Sequence, residues 1–377
     1  MEMFYIIAVV CVVFGLVLYM KYDNVSFYEF LGVGLLAFAL SGIFHYISFS
    51  SMTDDTEIWS GRITSVVYHP RWVEKVQHTE TDNKGKTHVS YSYTTHNKYW
   101  EAKTNIDSAE NISESLFNQL SAKFGPISKQ WVYKSGFESG DHNIYVCNNI
   151  SNYMVPISEN RTFTNRIKGS KTVWNYPEVP SDVKVFEYPK TSDWFRSNRL
   201  LGSAKTTISI DKFDEMCARI GPAKQANVIL VGFDGNSTIE MGNYQESKWI
   251  GGKKNDIVVC YGGTDSKRPT WVHVFSWTEK DICKINIRNI FMNNSVDDSI
   301  LQLIEKEIYE TFARKHFSDF DYISIAPPDW ALPWYIGVVG IVQVCVWTYF
   351  FRNDYGKKDD SFMLRGMRIR SLNNRRF

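Results

Sequence analysis

The chain has 377 residues, with 42 Lys and Arg against 41 Asp and Glu, and 15% of its residues are aromatic. A net charge of +1 leaves no electrostatic footprint for nucleic acid, which is held mainly through clustered Lys and Arg on its phosphates. The aromatic content excludes a disordered chain, because disorder goes with few rings and low hydrophobicity.

Residues 4–20 are apolar without a charge, residues 27–49 are apolar apart from Glu29 and His45, and residues 331–351 are apolar up to Arg352. A bilayer core about 30 Å thick takes ~20 apolar helical residues, and all three stretches reach that range. The expectation is an α+β membrane protein. A transmembrane hairpin (1–49) and a closing transmembrane helix (331–351) flank a β-rich aqueous subdomain (50–201) and an α/β sandwich subdomain (202–330). A tail (352–377) follows. Glu2 precedes the first apolar run without Lys or Arg, and no small-residue cleavage site follows it, so a retained helix is expected rather than a signal peptide. Glu29 and His45 lie near opposite ends of the second span, within reach of the interface. Gly32, Gly34, Ala37, Ala39, Ser41 and Gly42 give that helix small faces for close packing.

Orientation follows from Lys and Arg beside the spans. The tail carries Arg365, Arg368, Arg370, Arg375 and Arg376 among its basic residues, which places it in the cytoplasm and the central domain and N-terminus outside. Apolar residues interleave with these arginines, a pattern suited to an anionic membrane surface or to a solvated tail. The expected location is the inner or plasma membrane. The expected partners are the bilayer and either an envelope protein or further copies of the chain.

Within the aqueous part, residues 62–68 read as a strand. Residues 73–81 and 87–95 flank a Gly/Asn turn and read as a hairpin, with Thr81 opposite Thr87 and Glu80 opposite His88. That register puts His78, Glu80 and His88 on one face, where they form either a divalent-metal site or a solvated polar face. No other cofactor is indicated. Residues 107–123 have helical spacing, 127–155 read as strands, and 160–201 as a Pro-rich, aromatic-rich loop. Four cysteines, Cys147, Cys217, Cys260 and Cys283, lie in this part without a C-x-x-C pair, and buried free thiols are expected of Cys147 and Cys260.

From residue 209 the pattern is a helix ending at Gly221-Pro222, a buried strand (226–233), a helix (239–249), a turn, a buried strand (256–261), a third strand (271–277) and a helix (298–316). The turn Gly251, Gly252, Lys253, Lys254 and Asn255 is either a tight turn or a cradle for an anion. It is not a P-loop, whose spacing is absent, and no G-x-S-x-G or H-E-x-x-H occurs.

This order, with Trp249 to Asp256 running into Ile257–Val259, resembles the TPM domain over residues 209–316. The resemblance implies a small α/β domain, often membrane-tethered and facing away from the cytoplasm, with binding roles in some members and phosphatase activity in others. After Val259 the chain has Gly262-Gly263 rather than a G-x-G stretch. The whole layout also resembles membrane proteins of tailed phages and bacteria, from which no function transfers. The expectation is an anchored extracytoplasmic binding or scaffold protein. The alternative is a TPM-like hydrolase of phosphatase type.

Overall fold

The computed structural model describes residues 2–353 apart from 23–24, 83, 171–175, 192–193, 195–196, 234 and 264–267. The basic tail residues Arg365, Arg368, Arg370, Arg375 and Arg376 lie outside the described residues.

In chain order, the first elements are helices α1 (Met3–Lys21) and α2 (Phe27–Thr53), then strands β1 (Asp54–His69), β2 (Trp72–Thr81), β3 (Thr87–His96), β4 (Tyr99–Thr104) and β5 (Ala109–Ile112). Helix α3 (Glu114–Phe124) precedes β6 (Ile127–Trp131), β7 (Phe137–Gly140), β8 (Asn143–Asn148), β9 (Pro156–Thr164) and α4 (Arg166–Gly169). There follow β10 (Leu200–Gly202), α5 (Ala204–Thr207), α6 (Ile210–Lys224), β11 (Asn227–Gly232), α7 (Glu240–Trp249), β12 (Asp256–Gly262) and β13 (Trp271–Ser276). The last are α8 (Asp281–Asn293), α9 (Ile300–Thr311) and α10 (Ala331–Asn353). The chain is therefore α+β, with three helices among the described residues long and apolar enough to cross a membrane.

Two compact units emerge. The first joins residues 1–55, 162–175 and 317–377. Its three long helices bury only 22%, 17% and 22% of their most apolar windows, which leaves most of that surface free for lipid. A polar node ties them together. The Tyr335 hydroxyl lies 2.6 Å from Ser41 Oγ and 3.0 Å from the Phe4 carbonyl, and Ser41 also reaches that carbonyl at 3.1 Å. Glu29 is spent locally. Ser26 and Glu29 form a capping box at the start of α2, each side chain bonded to the other's amide, which satisfies two otherwise orphaned donors.

The second unit joins residues 56–161 and 176–316, so it contains both the β-rich segment and the α/β segment. One sheet runs β5-β4-β1-β8-β6, with β9 pairing β1 off that path. Helix α3 buries Phe117, Leu120 and Phe124 against it, with Ile63, Val66, Ala102 and Cys147 below. A second sheet runs β3-β2-β7.

The third sheet, β10-β11-β12-β13, has parallel β10, β11 and β12 and an antiparallel β13. All the residues of β11 and β12 are buried, as near-continuous apolar runs predict for strands covered on both faces. Helices α6, α8 and α9 pack on one face, while Trp249 of α7 packs on the other with Phe186 and Tyr188. The crossovers β10-α6-β11 and β11-α7-β12 step in the same direction but pass on opposite faces. They therefore have opposite hands, against the strong right-handed preference.

Several boundaries differ from the sequence reading. The segment 107–113 is not helical. Residues 109–112 pair with β4, and α3 starts only after Ser113, whose hydroxyl accepts from Leu116 N. Helix α6 does not stop at Gly221-Pro222. It runs on to Lys224 and is closed by Gln225 in the left-handed region, since a proline in the last turn lacks only one donor. Helix α9 ends at Thr311 rather than His316. Helix α8 has no counterpart in the sequence reading.

The N-terminal ends of the parallel strands carry a buried polar hub. Arg199 is 2% exposed and its guanidinium donates to Asp214 at 2.9 Å, Ser60 Oγ at 2.5 Å and Asn227 Oδ1 at 3.3 Å. Asn227 Nδ2 donates in turn to Asp256 at 2.9 Å. Nearby, Glu57 is 2% exposed and accepts from Trp59 Nε1 and Arg314, with Lys254 Nζ at 3.4 Å.

Candidate ligand-binding site

The register of the first sheet builds a row of side chains across its strands. Trp100 of β4 pairs with Tyr68 of β1, Tyr68 with Tyr145 of β8, and Tyr145 with Lys129 of β6. Directly opposed residues share a face, so the three rings form a ladder. Trp100 and Tyr68 stack with centroids 5.4 Å apart, and Tyr68 and Tyr145 lie 5.8 Å apart. Phe117 of α3 covers Tyr68 from above, 6.4 Å away. Two residues along β6 from Lys129, on the same face, Trp131 is 64% exposed.

Where α3 stops covering this row, a cavity of about 330 Å³ opens, lined by Tyr68, Pro70, Phe117, Ile127, Asp141 and Tyr145. That size falls in the usual range for small-molecule pockets, ~300–1,000 Å³. Asp141 is its one charged lining residue. It sits in the turn between β7 and β8, where Oδ1 accepts from the Asn143 amide at 2.9 Å and from Asn143 Nδ2 at 2.5 Å, and Oδ2 from the Tyr145 hydroxyl at 3.0 Å. These donors, the Asn143 amide foremost, hold the Asp141 carboxyl down to about 2, with help from Lys129. It is ionised throughout the physiological range. Oδ2 takes only one bond and can accept another. Lys134 Nζ donates to the Asp141 carbonyl at 2.6 Å.

None of these pocket residues stands out in the sequence. The signal that could have found them is the Asp141-x-Asn143-x-Tyr145 run, an Asx turn opening a strand, set beside the aromatic alternation Tyr68, Trp100. Pairing register is needed to see that they meet.

The hairpin β2–β3 has the expected register, with Thr81 opposite Thr87, Glu80 opposite His88 and His78 opposite Ser90. His78, Glu80 and His88 therefore share a face. The rings turn to other partners, however: His78 Nε2 lies 2.7 Å from Ser92 Oγ, and His88 Nε2 lies 3.3 Å from Asp82. Among the described residues, no group of three or more His, Cys, Asp or Glu side chains is placed to hold a metal ion.

The turn Gly251, Gly252, Lys253, Lys254 and Asn255 does cradle an anion, but one from its own chain. The Lys253 amide donates to Asp256 Oδ2 at 2.7 Å, and Tyr188 Oη donates to the same carboxylate at 2.9–3.0 Å. Lys254 is committed to Glu57, and Asn255 donates to the Ile58 carbonyl. Gly251 has φ +74°, and a Cβ there would lie 2.5 Å from Tyr176 Oη, so the tight-turn reading accounts for its glycine.

All six cysteines are free, and Cys147, Cys217, Cys260 and Cys283 are buried. Burial raises the thiol of each, that of Cys217 to about 11, which leaves them protonated and unreactive. Against known families, curated proteins and solved structures, the chain finds no match.

Proposed function

We propose that the protein is a membrane-anchored binding protein of the cell envelope, with its N-terminus and central domain outside the cytoplasm and its tail inside. One observation carries the reading: three helices able to span a bilayer bracket one large aqueous unit, and that unit has an aromatic cavity with a fixed carboxylate. Apolar walls with a few oriented polar groups are the usual make-up of a binding site. The basic residues of the tail set the orientation.

For residues 209–316 the TPM-like reading is kept as a proposal about architecture. The order α6-β11-α7-β12-β13, with β11 and β12 adjacent and parallel, supports it. The hydrolase alternative is weaker, because the anion cradle it would use holds Asp256.

Reporter fusions at Gly136 and Gly356 test the topology. The expected result is an extracytoplasmic signal from the first and a cytoplasmic one from the second. The same side for both would remove the reading.

A further inference from the structure

We propose that the cavity beside Tyr68 and Tyr145 binds a neutral saccharide, with one sugar ring against Tyr145 and the chain continuing over Trp131. The proposal rests on the binding reading above and names its ligand class.

The argument starts from charge. Among the described residues the only charged group lining the cavity is the Asp141 carboxylate, ionised at every physiological pH, so an anion finds no positive partner there. A cation fares no better. Lys129 lies on the same sheet row and acts on Asp141, and Lys134 holds the Asp141 carbonyl, so the site's negative charge is already countered. The ligand left is uncharged.

Shape and polarity narrow it further. The floor is the open end of the ring ladder, where Tyr145 lies beyond the cover that Phe117 gives Tyr68, and an aromatic ring offers apolar surface at low entropic cost. The rim offers an acceptor, Asp141 Oδ2, which takes one bond from Tyr145 and has room for another. A pyranose matches both, since it presents a flat C–H face to a ring and hydroxyls around its edge that donate and accept. Trp131, exposed on the same face two residues from Lys129, gives a second platform, as an oligosaccharide requires and a single small molecule does not. Trp131 stacks on His142 with centroids 5.6 Å apart and is still 64% exposed.

The test uses the full chain in phospholipid nanodiscs, free of sugar-headed detergent, titrated by calorimetry with the tetramers of N-acetylglucosamine, β-1,4-glucose and α-1,4-glucose. Tetramethylammonium and adenosine serve as the cationic and planar-heterocycle comparisons. At least one tetrasaccharide should bind with a Kd of about 1 mM or tighter, Tyr145→Ala should weaken it about tenfold or more, and Trp131→Ala about threefold. Tyr145→Phe keeps the ring and should stay within about threefold of the parent, which separates a lost platform from a lost fold. The proposal is overturned if no tetrasaccharide binds, if tetramethylammonium or adenosine binds as well as the best sugar, or if Trp131→Ala has no effect. The topology map fails independently: sugar binding by a domain on the cytoplasmic side would leave this site standing and remove the envelope location.

Discussion

Asp256 shows how one residue ties the α/β segment together and what that costs. It is fully buried at the start of β12, and burial raises its carboxyl to about 6, against the pull of donors from Asn227, Lys253 and Tyr188. In the unfolded chain the same group titrates near ~3.9. The native state therefore binds more protons between those two values, and stability falls as pH rises across that window. The contribution is complete below about pH 4 and gone above about pH 6, and its size is about 3 kcal/mol. Asp256→Asn cannot titrate. In urea unfolding followed by tryptophan emission, the wild type should lose about 3 kcal/mol relative to that variant between pH 4 and pH 7. Parallel curves for the two proteins would show that Asp256 titrates normally. The exposed carboxylates cancel in this comparison, since both chains share them. Asp256 also explains why the Gly/Lys turn looks like an anion site in the sequence: the Lys253 amide does bind a carboxylate, supplied four residues from Gly252.

At the scale of elements, the close approach of β1 to α6 is the most sharply specified contact. A Cβ at Gly221 would lie 2.0 Å from the Ser60 carbonyl oxygen, which is backbone and cannot rotate away. Gly221→Ala should therefore destabilise by about 3 kcal/mol, the upper end for overpacking or beyond it. Gly235→Ala, with nothing within 4 Å of its added methyl, should stay within about 0.5 kcal/mol. Equal melting temperatures for the two variants would show that β1 shifts freely. This contact also marks where the sequence is legible and where it is not. Apolar runs announce β11 and β12 because burial on both faces leaves nothing else to fill them, and the Asn/Gly turn announces the β2–β3 hairpin with its register. Helix α8 escapes notice because Lys284, Asn286 and Arg288 alternate with Cys283, Ile285 and Ile287 as in a strand, although the residues it buries, Cys283, Ile287 and Phe291, have helical spacing. The α3 boundary is misplaced because residues 109–112 satisfy their backbone through β4, a partner that local spacing cannot reveal. The ring ladder is invisible for the same reason: Trp100, Tyr68 and Tyr145 are 32 and 77 residues apart in the chain and meet only through pairing.

At the scale of the whole molecule, helices α1, α2 and α10 come together in the first unit, and the Tyr335 hydroxyl is the group that joins all three. Lipid tails are as apolar as the helix surfaces, so burial alone gives little reason for these helices to associate. Close packing and interhelical hydrogen bonds must do it. Phe4, Phe44 and Tyr335 supply the packing, with ring centroids 5.0–6.3 Å apart, and Ser41, Tyr335 and the Phe4 carbonyl supply the bonds. Replacing Tyr335 by Phe keeps the ring and removes only the hydroxyl. Replacing Ser41 by Ala removes the other side of the pair. The Phe4 carbonyl keeps its own intrahelical bond in every variant, whereas either single variant already breaks the direct bond between the two hydroxyls. The two substitutions should therefore be non-additive. A double-mutant cycle on thermal unfolding in detergent should give a coupling of about 0.6 kcal/mol, and no more than about 1.7 kcal/mol. Strict additivity would mean that the node holds no free energy of its own, and that ring packing alone keeps the N-terminal hairpin and the C-terminal helix side by side.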